Sequence, residues 1–115
     1  MENPQHPSIA FKILTASQWA QFSADGVFHG APVDLADGYI HLSTQDQVQG
    51  TLDKHFPGQK GLVIAEVDLT LLIDIIKWEV SRGGALFPHI YGALPMAAII
   101  GHFDSDQSMV PRPHA

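Results

Sequence analysis

Nearly continuous apolar runs alternate with short polar segments along the 115-residue chain and predict several short strands. Residues 9–14 and 61–68 are apolar over the length of a strand. Residues 61–68 feed both faces with apolar side chains, which predicts a strand at the centre of a sheet. Residues 69–76 fit either a short helix or a strand. Three further strands are predicted, at residues 78–81, 86–91 and 96–103.

Residues 39–43 alternate between polar and apolar side chains, as a half-buried strand does. Tyr39, His41 and Ser43 fall on one face of that strand, while Ile40 and Leu42 fall on the other. The pattern therefore predicts one imidazole and two hydroxyl groups that point the same way.

A first helix is predicted to begin after Thr15, because Thr15 and Gln18 form a T-x-x-Q capping box. Trp19 and Phe22 lie three residues apart and would face the core, and Gly26 would end the helix. The residues that follow, 27–37, are predicted to be a loop.

A second helix is predicted after Ser43 or Thr44, with Gln47 completing another T-x-x-Q box. Its apolar positions recur with helical spacing and place His55 on the inward face. Pro57 and the glycine after it end the helix.

This order of elements predicts an α+β domain with a small mixed sheet and two main helices. Residues 9–103 form the single globular domain of the prediction, and the polar, proline-containing segments 1–8 and 104–115 are expected to be flexible. A length of 115 residues suits one hydrophobic core rather than two.

Charge and composition narrow the function classes. The chain has 6 basic and 12 acidic residues, so its formal charge of -6 lacks the broad basic surface that long nucleic acids require. Cysteine is absent, which removes disulfides and thiolate chemistry. With no signal-like or membrane-spanning apolar stretch, the expectation is a cytoplasmic protein.

Three histidines stand in short polar segments between apolar stretches: His41, His55 and His89. Histidine side chains can supply proton transfer, anion binding or metal ligation near neutral pH, and these three roles stay open. The structural alternatives are a hydrogen-bonded core imidazole for His41, a stabiliser of the helix C-terminus for His55, and an aromatic cluster with Phe87 and Tyr91 for His89.

A second candidate group surrounds a glycine turn. Glu79, Ser81 and Arg82 precede Gly83 and Gly84, and could present a carboxylate, a hydroxyl and a guanidinium to a phosphate or carboxylate ligand. An exposed arginine is more often only a solvated charge. Metal-assisted hydrolysis on His41, His55 and His89 is a third alternative, which their spacing does not support because no H-E-x-x-H motif occurs. No phosphate-loop or nucleophile-elbow motif occurs either.

Four motifs then carry a resemblance: DGYIHLST (37–44), HFPG (55–58), EVDL (66–69) and WEVSRGGALFPHIYGALPMAAI (78–99). Over residues 11–100 the chain closely resembles a bacterial family called domain of unknown function 952, in which these motifs come in the same order. That family resembles in fold the ADP-ribosyltransferase superfamily, in particular the tRNA 2′-phosphotransferases.

The resemblance implies an ADP-ribosyltransferase-like fold and NAD as the candidate cofactor. His41, Leu42 and Ser43 match a His-Leu-Ser-like motif of those enzymes, and Ser81 with Gly83 or Gly84 loosely matches their Ser-x-Asn-Gly-like turn. The superfamily's first strand commonly carries a His-Gly-Thr-like or Arg motif that holds a ribose. Here residues 11–15 retain only the threonine of that motif.

The sequence hypothesis is therefore a site that binds or transforms a small anionic molecule of the nucleotide or ADP-ribose type. His41 and His89 are its candidate catalytic residues, with His41 orienting a ribose hydroxyl and His89 carrying the proton. The alternative is a ligand-sensing or interaction module without transferase activity. The candidate ligand-binding residues are Tyr39, Ser43, Thr44, His55, Glu79, Ser81, Arg82 and Tyr91.

Overall fold

The strands of the protein pair antiparallel throughout. The computed structural model describes residues 6–105, except for the side chain of Arg82. Within that part of the chain the fold is α+β, with eight strands and three α-helices. The strands are β1 (Ile9–Leu14), β2 (Val27–Phe28), β3 (Ile40–His41), β4 (Val63–Asp68), β5 (Ile76–Val80), β6 (Leu86–Ile90), β7 (Leu94–Pro95) and β8 (Ile99–Asp104); the helices are α1 (Ala16–Asp25), α2 (Pro32–Asp37) and α3 (Val48–His55).

Three sheets replace the single mixed sheet of the sequence prediction. One has the order β1-β4-β8, another the order β3-β6-β5, and β2 pairs with β7. The two larger sheets touch at one isolated bridge in the described residues, where the Phe11 N–H donates to the Ser43 carbonyl at 2.7 Å and the Ser43 N–H donates back at 2.9 Å. The prediction of one sheet was wrong because this contact is too short to merge the two ladders.

Strand β1 divides its side chains between two hydrophobic cores. Ala10 and Leu14 are buried in the larger core, whereas Phe11 and Ile13 are buried in a smaller core with residues of α3 and β4. Alternation along a strand sends every second side chain to the same face. Lys12 consequently points to the same side as Ala10 and Leu14 and is buried.

Helix α1 confirms the first capping box. The Gln18 N–H donates to Thr15 Oγ1 at 3.1 Å, and the Thr15 N–H donates to Gln18 Oε1 at 2.9 Å. Gly26 ends the helix with φ 76°. This left-handed conformation favours glycine, because a Cβ would be strained there.

Helix α3 begins later than the sequence predicts. The Thr44 N–H donates to Gln47 Oε1 at 3.0 Å, which is one half of the predicted capping box, but residues 45–47 form a turn and the helix starts at Val48. His55 is exposed at the end of α3, so its predicted place on the buried face is wrong. The inward anchor of this helix is Val48.

The prediction of a loop over residues 27–37 is wrong as well. It contains β2 and the short helix α2, which makes three helices in the described residues rather than two. Pro32 occupies the first turn of α2, where its missing N–H costs nothing, and Asp34 accepts a hydrogen bond from the Ala31 N–H at 2.7 Å. Pro32 and Asp34 are therefore signals for the start of a helix. The six residues of α2 have no apolar stripe, so the sequence pattern did not indicate a helix there.

The predictions for residues 61–76 and for the two ends of the chain have different outcomes. Residues 61–68 contain β4, which is confirmed as the central strand of its sheet. Residues 69–76 resolve into a 3-10 turn, Leu69–Leu72, followed by β5. Residues 1–5 and 106–115 of the predicted flexible ends lie outside the described residues, while Ser8 accepts a backbone hydrogen bond from Leu69 and Asp104 ends β8. No helix in the described span is long and apolar enough to cross a membrane.

Candidate functional site

A cleft of about 660 Å³ is lined by residues of β1, β3, β6, α2 and α3. We call it the main cleft. Although His41, His55 and His89 come from three separate elements, the fold brings all three to its wall. The sequence-predicted residues that line the main cleft are Tyr39, His41, Ser43, His55, Ser81 and His89.

The pairing of β3 with β6 explains why two of these histidines are neighbours. His41 lies directly opposite His89 in the antiparallel register. Side chains of directly opposed residues share a face of the sheet, with Cβ atoms about 5 Å apart. The two imidazole rings accordingly lie with their centroids 5.4 Å apart.

His41 is held by a buried carboxylate. Its Nδ1 lies 2.6 Å from Asp34 Oδ1, and its backbone N–H donates to the same oxygen at 3.1 Å. Lys12 donates from Nζ to both Asp34 oxygens, at 3.0 and 3.3 Å, and to the His41 carbonyl at 3.1 Å. Asp34 therefore joins β1, α2 and β3 at one point.

Burial and charge act in opposite directions on this ion pair. The Asp34 side chain is 1% exposed and that of Lys12 is 6% exposed. Burial would raise the pKa of Asp34, but the hydrogen bond from His41 and the charge of Lys12 outweigh it and lower the pKa to about 2. The pKa of Lys12 is lowered as well, because burial lowers it by more than the neighbouring Asp34 carboxylate raises it. Asp34 is thus an ionised carboxylate inside the fold.

The second ring nitrogen of His41 also meets a carboxylate. His41 Nε2 lies 2.9 Å from Asp37 Oδ2 at the end of α2, and the Asp37 side chain is 45% exposed. Ionised carboxylates only accept hydrogen bonds, so both contacts can form together only when both ring nitrogens carry a proton. In this arrangement His41 lies between two acids, with one ring nitrogen directed at each.

His89 is oriented by Glu79 from the neighbouring strand. Its Nδ1 lies 2.7 Å from Glu79 Oε1, and Tyr91 donates its hydroxyl to the same oxygen at 2.8 Å. The hydrogen bonds from His89 and Tyr91 lower the pKa of Glu79. The hydrogen bond to this carboxylate raises the pKa of Tyr91 to about 12. Within the described residues His89 Nε2 has no hydrogen-bond partner.

Tyr39 packs over both histidines. Its ring stacks on His89 with centroids 4.1 Å apart, and it lies 4.7 Å from His41 and 5.2 Å from Tyr91. Continued by one residue beyond β3, the register that pairs the two histidines sets Tyr39 beside Tyr91. Tyr39 and Tyr91 each lie two residues from a histidine in the chain, on the same face of the sheet. Partial burial, followed by the charges of Asp37 and Glu79, raises the pKa of Tyr39.

Hydroxyl and cationic groups complete the lining. Ser43 Oγ lies 2.8 Å from Thr51 Oγ1, which in turn donates to the Gln47 carbonyl at 3.1 Å. The last turn of α3 adds the exposed side chains of Lys54 and His55 to the main cleft. Hydroxyls, an ammonium group and imidazoles are groups that bind phosphate or carboxylate oxygens.

Three predicted site residues lie elsewhere. Thr44 lines a second cavity, of about 590 Å³, together with Gln45, Asp46 and Glu66. Glu79 contacts His89 and Tyr91 but is not part of the lining of the main cleft, and Tyr91 is partly exposed beside it. The side chain of Arg82 lies outside the described part of the structure.

Sequence reasoning missed Lys12, Asp34 and Asp37. The loop prediction for residues 27–37 hid both acids. Lys12 did carry a signal, because a lysine within the apolar run of residues 9–14 must find a buried partner or a route to water. Nothing local to the sequence names Asp34 as that partner, since 22 residues separate the two.

Among the described residues, no group of three histidine, aspartate or glutamate side chains is arranged to hold a metal ion. The two ring nitrogens of His41 are instead directed at Asp34 and Asp37. The geometry described for this site is one of imidazole–carboxylate pairs.

Residues 13–102 match the family described as Protein of unknown function (DUF952). The chain belongs to this family. The crystal structure of protein CC0527 from Caulobacter crescentus is 42% identical, covers 92% of this chain and 93% of that chain, and has a TM-score of 0.83. Its solution NMR structure is 43% identical over 91% and 92% of the two chains, with a TM-score of 0.76. No curated protein matches the chain.

Membership of the DUF952 family supports the motif-based recognition from the sequence. Both solved neighbours are similar to this chain over almost their whole length, so the α+β fold is shared. Neither comparison assigns an activity. The resemblance to the ADP-ribosyltransferases therefore stays a prediction.

Proposed function

We propose that the main cleft binds a small anionic molecule of the nucleotide or ADP-ribose type, and that a histidine of the main cleft exchanges a proton with this bound molecule. The observation that carries this proposal is the pair of carboxylate-anchored imidazoles, Asp34–His41 and Glu79–His89, on one wall of the main cleft. A histidine held through Nδ1 by a carboxylate has a fixed ring orientation, and in His89 this leaves Nε2 for proton exchange.

His89 is the proton carrier of the proposal. Its Nδ1 is engaged by Glu79, and its Nε2 has no hydrogen-bond partner in the described residues, so Nε2 is the nitrogen that can exchange a proton with a ligand. The side chain is only 3% exposed, which restricts its ring motion. Fixed orientation and little competing water both favour proton transfer to a bound molecule.

His41 acts as the orienting donor. Asp34 fixes its ring from one side, and its other nitrogen contacts Asp37, which also lines the main cleft. Once Asp37 moves aside, that nitrogen can donate to a ribose hydroxyl or to an anionic oxygen. In the proposal, the Lys54 ammonium balances the charge of a phosphate, while His55 and the hydroxyl of Ser81 bind its oxygens; all three residues line the main cleft. Arg82 follows Ser81 in the chain and is proposed to assist them.

NAD stays a candidate ligand by resemblance alone. In β1, the residue that stands within the expected ribose-binding motif is Lys12, and its ammonium group is committed to Asp34 inside the fold. ADP-ribose and ribonucleotides carry ribose and phosphate groups of the same kind without the nicotinamide. They are accordingly the first ligands to test.

One observation favours a second candidate, a ligand-sensing module without turnover. Both ring nitrogens of His41 are bound to carboxylates, so His41 offers no free nitrogen until Asp37 moves. A site built only to sense an anion needs no more than the displacement of that side chain.

Calorimetric titration with NAD, ADP-ribose and ribonucleoside monophosphates tests the binding step. Binding of one of these ligands is expected, and a His29→Gln variant, which changes an exposed histidine outside the main cleft, should bind equally well. Absence of heat with every ligand would overturn the proposal.

Turnover separates the two candidates. Phosphorus NMR of the incubated ligand should show a product with the wild-type protein, and His89→Gln should abolish it while leaving affinity within a few-fold. Binding without product in the wild-type protein would support the sensing module and exclude the enzyme.

A further inference from the structure

The two carboxylates that flank His41 differ in how firmly they are held. Asp34 is buried and takes hydrogen bonds from Lys12, Ala31 and His41. Asp37 is the last residue of α2, is 45% exposed, and has its contact with His41 Nε2 as its one polar contact in the described residues. Asp34 is therefore a fixed part of the fold, whereas the Asp37 side chain can leave at low cost.

Asp37 and His41 both line the main cleft. The Asp37 carboxylate thus places an anionic oxygen 2.9 Å from a ring nitrogen of a residue that lines the cavity. A position that already accommodates a carboxylate oxygen has the donor, the distance and the charge needed for an oxygen of another carboxylate or of a phosphate.

We infer that the position of Asp37 Oδ2 beside His41 Nε2 is an oxyanion subsite, at which Asp37 serves as an internal ligand that a carboxylate or phosphate group displaces. The inference deepens the proposed function, on which it rests for the class of ligand. It assigns the recognition of an anionic oxygen to His41 and gives Asp37 the role of a competitor.

Two consequences follow from the charges. An incoming anion and the Asp37 carboxylate repel each other, so they do not share the subsite, and a neutral sugar lacks the charge to displace Asp37. Lys54 lines the same cavity and supplies a cation for the displaced or incoming anion. The subsite thus selects phosphorylated or carboxylated ligands over their uncharged analogues.

Removal of the competitor should strengthen anion binding. An exposed ion pair contributes up to about 1 kcal/mol, which corresponds to about fivefold in an equilibrium constant. Asp37→Ala is therefore expected to bind inorganic phosphate about fivefold more tightly than the wild-type protein. Asp37→Asn, which keeps the side-chain shape and removes its charge, should gain part of this increase.

The test is an NMR titration with inorganic phosphate, and separately with acetate, that follows the His41 ring signals and the Gly38 amide. Asp25→Ala is the matched control, because Asp25 is an exposed carboxylate at the end of α1, outside the main cleft. It should leave phosphate affinity unchanged. In the double variant Asp37→Ala with His41→Gln, the gain should disappear.

Unchanged phosphate affinity in both Asp37 variants would overturn the inference, as would a gain that survives the loss of His41. The acetate arm shows whether a carboxylate suffices or a phosphate is required, and tighter binding of either anion in the Asp37 variants supports the subsite. These outcomes are independent of the nucleotide titrations. Phosphate can bind through His41 even if every nucleotide fails, and a nucleotide can bind wild-type protein without any Asp37 effect.

Discussion

Replacing Asp34 by Asn removes the charge that joins β1, α2 and β3. The asparagine keeps one acceptor oxygen, but the Lys12 ammonium then stands 6% exposed beside a neutral amide. Breaking a buried ion pair by removing one partner costs about 3–5 kcal/mol of stability. The variant is expected to lose stability in this range at pH 7.

The loss of stability cannot exceed the free energy that is needed to deprotonate Lys12, because a neutral lysine no longer needs a buried partner charge. The ordinary lysine pKa is 10.5, and deprotonation at pH 7 costs about 1.4 kcal/mol for each pH unit below it, roughly 5 kcal/mol in all. If the buried ammonium costs more than that, Lys12 becomes neutral instead. A lysine whose folded pKa is depressed gains stability as pH rises, so the deficit of Asp34→Asn should shrink between pH 7 and 9, by at most about 1.4 kcal/mol per unit.

Urea unfolding followed by tryptophan fluorescence at pH 7, 8 and 9 measures this loss. Asp25→Asn, an exposed carboxylate that accepts a hydrogen bond from Gln21, is the control and should change stability by no more than about 0.5 kcal/mol. Adding Lys12→Met to Asp34→Asn should recover part of the deficit, since the uncompensated charge is gone. A loss below about 1 kcal/mol at pH 7, or a deficit that neither pH nor the second substitution changes, would refute the reasoning.

Three further predictions concern other groups. Because the pKa of Asp34 is lowered to about 2 from an ordinary 3.8, its contribution of about 2 kcal/mol is complete above pH 4 and is lost as pH falls from 4 to 2; acid unfolding of Asp34→Asn should lack this component. Glu79→Gln should bring the pKa of Tyr91 down from about 12, because the carboxylate that accepts its hydroxyl is gone, and ultraviolet titration should detect it; an unchanged Tyr91 titration would contradict the described contact. Thr15→Ala should cost about 1 kcal/mol in urea unfolding, because α1 loses its N-cap, whereas Ser17→Ala, exposed in the same turn, should cost less.

The parts of the fold that the sequence predicted correctly are those set by local chemistry. The capping box at Thr15 and the glycine end at Gly26 depend on residues within a few positions of each other. Strand β4 could be predicted from its high content of apolar residues alone. Helix α2 was not predicted, because the side chain that it buries is Asp34 and not a stripe of apolar residues. Asp34 is bound by Lys12, which lies 22 residues away in the sequence, so no local pattern indicates this contact.

The candidate site divides in the same way. Alternation around His41 predicted that Tyr39 and Ser43 share its face, and both line the main cleft. The contact between His41 and His89 depends on the register of β3 against β6, which pairs residues 48 positions apart and leaves no trace in either segment. Helical periodicity placed His55 inward, whereas its position at the end of α3 leaves it exposed.

The central claim is that a small anion binds between the two carboxylate-anchored histidines. The most direct measurement is a two-dimensional NMR titration of the whole protein with ADP-ribose, followed through the backbone amides and the histidine ring signals. Saturable shifts are expected at His41, His89 and Gly38, with little change around the second cavity at residues 44–46. Saturable shifts confined to residues 44–46, or none at His41 and His89, would contradict it.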